Sequence, residues 1–127
     1  MPALTRAVGL VTLVLVAACN RSGEYTTIVS GGNPDRGRGL IRVYGCGSCH
    51  TIPGVRGAES YVGPNLDGIA SRSYIAGVLP NDPENMVRWI RNPPAVDAKT
   101  AMPFLGVSER DARDIAAYLY RLKAAGE

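Results

Sequence analysis

The sequence predicts an all-α fold in which three main helices are joined by long loops. Three separate segments repeat apolar residues at helical spacing, and each begins at a residue type that caps helices well. After residue 32 no segment alternates apolar and polar residues as a strand does, and the glycine-rich middle of the chain, residues 46–79, favours loops; a short strand at residues 25–29 stays an alternative. The chain has 127 residues, which is enough for one domain.

Composition and charge exclude several classes of function. The formal net charge is only +3 and the basic residues form no cluster, so we expect no nucleic-acid partner. One stretch, Gly37-x-Gly39-x-x-Arg42, partly matches a phosphate-binding pattern. It lacks the third glycine and a preceding strand, which argues against a nucleotide site.

The N-terminal segment has the form of an export signal. Arg6 precedes an uncharged apolar run, residues 7–16, which is shorter than the roughly 20 residues that a bilayer span requires. Small residues then lead directly to Cys19, an order that resembles a bacterial lipoprotein signal. The resemblance implies cleavage after residue 18 and acylation of Cys19, which would anchor the protein at the periplasmic or outer face of a membrane in the bacterial cell envelope. The alternatives are an ordinary secretory signal and an uncleaved N-terminal anchor.

The predicted domain organisation follows from this signal. Residues 1–18 form the signal peptide, residues 19–32 the lipidated cysteine and a flexible tether, and residues 33–127 the folded domain. The tether prediction rests on the absence of any sustained periodicity after Cys19 and on the glycine pair that ends this segment.

Each predicted helix has a start signal. Asn33 and Asp82 are each followed by proline at the first helical position, and Ser108 opens a segment that resembles a capping box. Gly45 ends the first helix and Pro93 the second. The apolar positions expected to face the core are Leu40, Val43 and Tyr44, then Met86, Trp89 and Ile90, then Ala112, Ile115, Leu119 and Leu122.

The sharpest motif is C-x-x-C-H at Cys46, Cys49 and His50. This motif indicates covalent attachment of one c-type haem, with each thiol added to a vinyl group and the histidine placed beneath the iron. A structural zinc site would need four Cys or His ligands, and the chain has a single histidine. A thioredoxin-like dithiol would lie near a βαβ pattern, which is absent.

The second axial ligand of such a haem is expected to be a methionine, because the chain has no other histidine. Met86 lies on the apolar face of a predicted helix, where a core role is the better interpretation. Met102 lies in a non-helical run and is followed by Pro103, so its thioether can approach the iron from the side opposite His50. We therefore expect Met102 to be the ligand, with ordinary packing as the alternative.

These motifs together resemble the class I c-type cytochromes, the family of mitochondrial and small bacterial cytochrome c, over residues 33–125. The resemblance implies the cytochrome c fold, in which three main helices and long loops wrap around one covalently bound haem. It also rests on the stretch Gly63-Pro64-Asn65-Leu66 and on the nine-residue spacing from Pro93 to Met102.

The resemblance further implies roles for four residues. The Pro64 carbonyl would accept a hydrogen bond from His50 and so fix its tautomer. Arg72 falls where relatives keep an arginine near a haem propionate. Trp89 occupies an aromatic position that lines the haem pocket, and Thr100 matches a residue that holds the methionine loop and a propionate.

Filled axial positions predict an electron carrier and no enzyme, with no small-molecule substrate. The family resemblance implies a quinol-oxidising complex or dehydrogenase as donor and a terminal oxidase as acceptor. Lys99 is the single lysine near Met102, so docking through a ring of lysines is not expected. Two alternatives stay open: a haem module of a multi-subunit oxidase or dehydrogenase, and an open-site haem protein that binds ligands or reacts with peroxide.

Overall fold

The computed structural model describes residues 27–124. Within this range the chain forms four helices, α1 (Pro34–Val43), α2 (Pro83–Arg91), α3 (Pro93–Val96) and α4 (Glu109–Leu119). Short 3-10 turns occur at Cys46–Ser48 and Ile69–Ser71. The predicted signal peptide, Cys19 and the last three residues lie outside the described part of the chain. No helix within residues 27–124 has the length and apolar character needed to span a membrane.

The starts of the three main helices are confirmed. The side chains of Asn33, Asp82 and Ser108 each accept hydrogen bonds from backbone N–H groups in the first turn, at 2.9–3.1 Å. Pro93 ends α2, as expected, but it also opens the one-turn helix α3, which Asn92 caps. A proline is suited to this first helical position because the N–H that it lacks would have no partner there.

The closest contact between helices lies where α1 meets α4. A side-chain Cβ at Gly37 would stand 1.9 Å from the carbonyl oxygen of Asp114, so only glycine allows the two backbones to approach so closely. Asp114 is 1% exposed, and its carboxylate accepts a hydrogen bond from the Asn33 N–H at 2.6 Å and pairs with Arg36 at 2.9 Å. These contacts offset the cost of burying the carboxylate, and they tie the start of α1 to α4.

The buried face of α1 differs from the predicted one. Ile41 and Gly37 face the core, Leu40 and Tyr44 are half-buried, and Val43 is 78% exposed. The prediction is therefore confirmed at Leu40 and Tyr44, which pack against the core, and wrong at Val43. Gly37 adds nothing to an apolar pattern, so no signal in the sequence indicated that the buried face includes it.

A small hairpin was not predicted. Strands β1 (Tyr74–Ile75) and β2 (Leu79–Pro80) pair antiparallel, with Ile75 opposite Leu79. Ala76 and Gly77 turn the chain between them with φ values of 51° and 74°. Strands of two residues are too short to show the alternation by which strands are recognised in a sequence.

The segment before α1 packs on the domain. Val29 is 5% exposed, and its carbonyl accepts a hydrogen bond from the Gly32 N–H at 3.0 Å. A Cβ at Gly32 would lie 2.6 Å from the carbonyl oxygen of Arg113 in α4. The packed part of the chain therefore begins before Asn33, within residues that the sequence assigned to the tether.

Candidate haem site

The two thiols and the imidazole of the C-x-x-C-H motif lie in one tight turn. Gly45, with φ of 72°, leads into the 3-10 turn Cys46–Ser48. The Cys46 carbonyl accepts hydrogen bonds from the N–H groups of Cys49, at 3.2 Å, and His50, at 3.0 Å. Both thiols are free and half-buried, and burial raises the pKa of the Cys46 thiol.

The loop that carries Pro64 runs beside the histidine. The Gly63 N–H donates to the Cys49 carbonyl at 2.6 Å, which brings the Pro64 carbonyl oxygen to 2.7 Å from His50 Nδ1. A carbonyl oxygen can only accept, so Nδ1 carries the proton and the lone pair lies on Nε2. The imidazole is thus oriented with Nε2 as its metal-binding atom.

Gly63 belongs to this site, although in the sequence it stood out only as part of a matching stretch, without a role of its own. A Cβ at this position would lie 2.6 Å from Cε1 of His50 and 2.9 Å from Nδ1. Glycine is therefore required for the loop to pass against the imidazole face. The only signal in the sequence was its place before Pro64.

Arg72 braces the same loop. Its guanidinium donates to the carbonyl oxygen of Asn65 at 2.5 Å and to that of Asp67 at 3.1 Å. Asn65 directly follows Pro64, so the arginine charge lies one peptide away from the carbonyl that binds His50. The predicted propionate contact of Arg72 stays a prediction.

Met102 is held on a different loop. The Thr100 hydroxyl accepts a hydrogen bond from the Met102 N–H at 3.1 Å, and the Thr100 N–H donates to Asp97 at 3.1 Å. Met102 is half-buried against the core, whereas Met86 is fully buried within it at 3% exposure. The structure thus places Thr100 where it positions Met102, and it places Met86 in the core.

Trp89 lies on α2 and is buried, at 9% exposure. Its indole N–H has no hydrogen-bond partner among residues 27–124. Trp89 therefore contributes a large apolar surface to the core, and its predicted place in the haem pocket stays a prediction.

The residues present fit a c-type haem. Two free thiols and an imidazole with its Nε2 unbonded supply the donor set that such a haem requires. Exposed apolar side chains also flank both ligand loops and can provide the apolar surroundings of a porphyrin. They are Tyr61 and Val62 before Pro64, and Phe104 and Leu105 after Met102.

Comparison with known proteins agrees with this fit. Residues 34–123 match the sequence model of the family described as cytochrome c. The chain is also 34% identical over 90 residues to cytochrome c oxidase subunit 2 of Alkalihalophilus pseudofirmus, and 32% identical over 82 residues to that of Bacillus sp. strain PS3. These matches cover 70% and 61% of this chain but only 25% and 23% of the relatives, so the chain corresponds to about a quarter of their length.

Two solved structures share the fold along nearly their whole length. Cytochrome c2 of Rhodobacter sphaeroides superimposes with a TM-score of 0.56 and 26% identity, covering 73% of this chain and 98% of its own. Cytochrome c2 of Rhodobacter capsulatus gives a TM-score of 0.51 and 26% identity, covering 69% and 96%. The chain therefore belongs to the cytochrome c family, has the cytochrome c fold, and binds haem c covalently through Cys46 and Cys49.

Proposed function

We propose that this protein is a membrane-tethered, single-haem carrier that passes one electron at a time between respiratory redox proteins, with His50 and Met102 as axial ligands. The observation that carries the proposal is the 2.7 Å contact between His50 Nδ1 and the Pro64 carbonyl. This contact leaves Nε2 as the metal-binding atom and makes the imidazole a stronger ligand, because its N–H is hydrogen-bonded.

The second ligand that we propose is the thioether of Met102. The hydrogen bond from its N–H to Thr100 fixes the backbone from which the side chain extends. When bound, haem c supplies an iron that alternates between ferrous and ferric states, and a thioether ligand favours the ferrous state. The role of Met102 is therefore to complete the coordination and to raise the reduction potential.

A carrier, and no enzyme, follows from this ligand pair. With His50 on one side and Met102 on the other, no coordination position is open to a substrate. The proposed ligand pair therefore favours electron exchange alone, through brief encounters that need only a small interface.

The ligand assignment has a direct spectroscopic test. We expect the oxidised protein to show the weak long-wavelength band of sulfur bonded to ferric iron, and the reduced protein to exclude CO at neutral pH. A high-spin spectrum, or rapid CO binding by the reduced protein, would instead identify an open-site haem protein.

We propose a terminal oxidase as electron acceptor, and a quinol-oxidising complex or dehydrogenase as donor. The acceptor is supported by the relatives, which are both cytochrome c oxidase subunits. The test is oxygen consumption by detergent-solubilised membranes supplied with the reduced protein. Oxygen uptake that does not rise with added carrier would contradict the acceptor assignment.

The same relatives favour a second candidate, a haem module that is a fixed part of an oxidase or dehydrogenase. In them the matching segment is about a quarter of a longer oxidase subunit. Mild detergent extraction separates the two candidates. A stable complex that purifies with this chain in constant ratio supports the module, and a chain recovered alone supports the free carrier.

Attachment to the membrane is proposed through a lipid on Cys19. The support is the sequence order of an apolar run, small residues and Cys19, with residues 1–18 as signal, residues 19–32 as lipidated tether and residues 33–127 as folded domain on the outer face of an envelope membrane. Because Val29 packs on the domain, the nine residues between it and Cys19 set the reach, which is at most about 30 Å when fully extended.

A single substitution tests the anchor. Cys19→Ser should release the protein from membranes without changing its visible spectrum. A Cys19→Ser protein that stays in the membrane fraction would contradict lipidation and support an uncleaved anchor.

A further inference from the structure

Tyr120 and Asn81 form a buried contact outside the two ligand loops. Tyr120 caps the C-terminal end of α4 and is 1% exposed. Its hydroxyl donates a hydrogen bond to Asn81 Oδ1 at 2.8 Å, and burial raises the pKa of Tyr120 above its ordinary value. The neutral hydroxyl therefore acts as the donor in this contact.

Asn81 also binds the backbone around Arg72. Its Nδ2 group donates to the carbonyl oxygens of Ile69, at 2.8 Å, and Arg72, at 2.7 Å. The orientation of the amide follows from its partners, because two carbonyls require the NH2 group and the hydroxyl supplies the donor that the amide oxygen needs. Only this orientation of the Asn81 amide gives each of the three partners a hydrogen bond.

The chain of hydrogen bonds continues to the histidine ligand. The Arg72 backbone is held by Asn81, and the Arg72 guanidinium is held on the carbonyls of Asn65 and Asp67. Asn65 directly follows Pro64, whose carbonyl accepts a hydrogen bond from His50. A continuous series of contacts thus links the end of α4 to the imidazole.

We propose that Asn81, held by Tyr120, is a positioning residue that fixes the Arg72 guanidinium beside the Pro64 loop and thereby raises the reduction potential of the haem. This inference rests on the proposed ligation by His50. A positive charge held beside the loop that binds His50 would destabilise a ferric iron bound there, because the ferric state carries one more positive charge than the ferrous state. Arg72 is exposed, so a guanidinium freed from these carbonyls would move further from the loop and act more weakly, because screening by water and salt grows with distance.

Two substitutions at the contact test the proposal. Asn81→Leu removes both donors at nearly constant volume, and Tyr120→Phe removes only the hydroxyl. We expect both haem-loaded proteins to have lower midpoint potentials than the parent, with a severalfold shift in the redox equilibrium for Asn81→Leu and a smaller shift for Tyr120→Phe. If the leucine variant fails to load haem, the phenylalanine variant carries the test alone.

Tyr44→Phe is the matched control. The Tyr44 hydroxyl also donates to a side-chain oxygen, Asp111 Oδ2 at 2.7 Å, but it joins α1 to α4 away from Arg72. Tyr44→Phe should lower the denaturation midpoint by about as much as Tyr120→Phe, since each variant loses one hydrogen bond. It should leave the reduction potential unchanged. Equal potential shifts in both variants would mean that general loosening is responsible, which would overturn the proposal.

A double-mutant cycle with Arg72→Met gives the decisive comparison. Without the guanidinium, Tyr120→Phe should no longer change the potential. A shift that persists in the Arg72→Met background, or an unchanged potential in the single variants, overturns the role of Asn81. Failure of the proposed ligation itself is seen separately, as an oxidised parent protein without the sulfur-to-iron band.

Discussion

The loop that holds His50 and the loop that holds Met102 are fixed in different ways. Beside His50, backbone hydrogen bonds join segments that are far apart in sequence, from Gly63 to Cys49 at 2.6 Å and from Leu66 to Thr51 at 2.9 Å. Beside Met102, the hydrogen bond to Thr100 spans only two residues. The histidine is therefore held by the fold, and the methionine by a local turn.

This difference predicts that substitutions beside His50 and beside Met102 have different effects. A ligand fixed by long-range contacts keeps its geometry whether or not the iron is bound, so it is suited to receive a covalently attached group. A ligand on a locally held loop depends more on the metal bond itself. We therefore expect changes that displace the imidazole itself to affect haem loading, and changes at Met102 to affect ligand access and potential while haem stays attached.

The largest effect is expected from Gly63→Ala on the histidine side. The added Cβ would lie 2.6 Å from His50 Cε1, so the imidazole must move and lose its contact with Pro64. We expect a loss of about 1–3 kcal/mol in the free energy of unfolding, as for other overpacked sites, and a strongly reduced yield of covalent haem. Haem staining on a denaturing gel measures the yield, and a yield equal to that of the parent would contradict the rigid histidine side.

Met102→Ala is expected to have the next largest effect, but of a different kind. Haem should stay covalently attached, because Cys46, Cys49 and His50 are untouched. The potential should fall and the reduced protein should bind CO, because the soft thioether is gone. Redox titration and CO difference spectra check both results. Continued exclusion of CO would show that another group fills the position assigned to Met102.

Thr100→Val should weaken the methionine side without removing the ligand. The substitution keeps the shape of the side chain but leaves the Met102 N–H without its acceptor, at a cost of about 1 kcal/mol. The sulfur-to-iron band should then disappear at a lower denaturant concentration than in the parent. Thr100→Ser keeps the acceptor and is the control, so an equal change in both variants would contradict the role given to this hydrogen bond.

The smallest effect is expected from Gly106→Ala, which is the counterpart of Gly63→Ala on the methionine side. Gly106 has φ of +68°, and nothing lies within 4 Å of a Cβ built there. The cost is therefore backbone strain alone, about 1 kcal/mol, with normal haem loading. Thermal unfolding and haem yield measure the two quantities, and a haem yield as low as that of Gly63→Ala would remove the contrast between the loops.

Local signals in the sequence predicted the elements that local chemistry determines. The caps at Asn33, Asp82 and Ser108 mark the three main helices because a capping side chain and its N–H partners lie within a few residues. The C-x-x-C-H motif identified the haem c for the same reason, since its three reactive groups lie within a single turn.

The features that the sequence did not predict depend on partners far along the chain. Asn81 and Tyr120 are 39 residues apart, and nothing near either residue indicates their contact. The glycine at the α1–α4 contact, Gly37, is required by the backbone of Asp114, which no pattern within α1 can reveal. Val29 likewise looks like part of an irregular segment until its packing on the domain is seen.

The hydrogen bond from Asn33 to Asp114 has a consequence for how the protein folds. It joins residues 81 positions apart, and closing a loop of this length costs roughly 4 kcal/mol of chain entropy beyond a constant. Contacts between residues this far apart raise the contact order, which slows folding. Because Asn33 and Asp114 join α1 to α4, neither helix can fray at this contact without releasing the other. This coupling favours unfolding in a single cooperative transition.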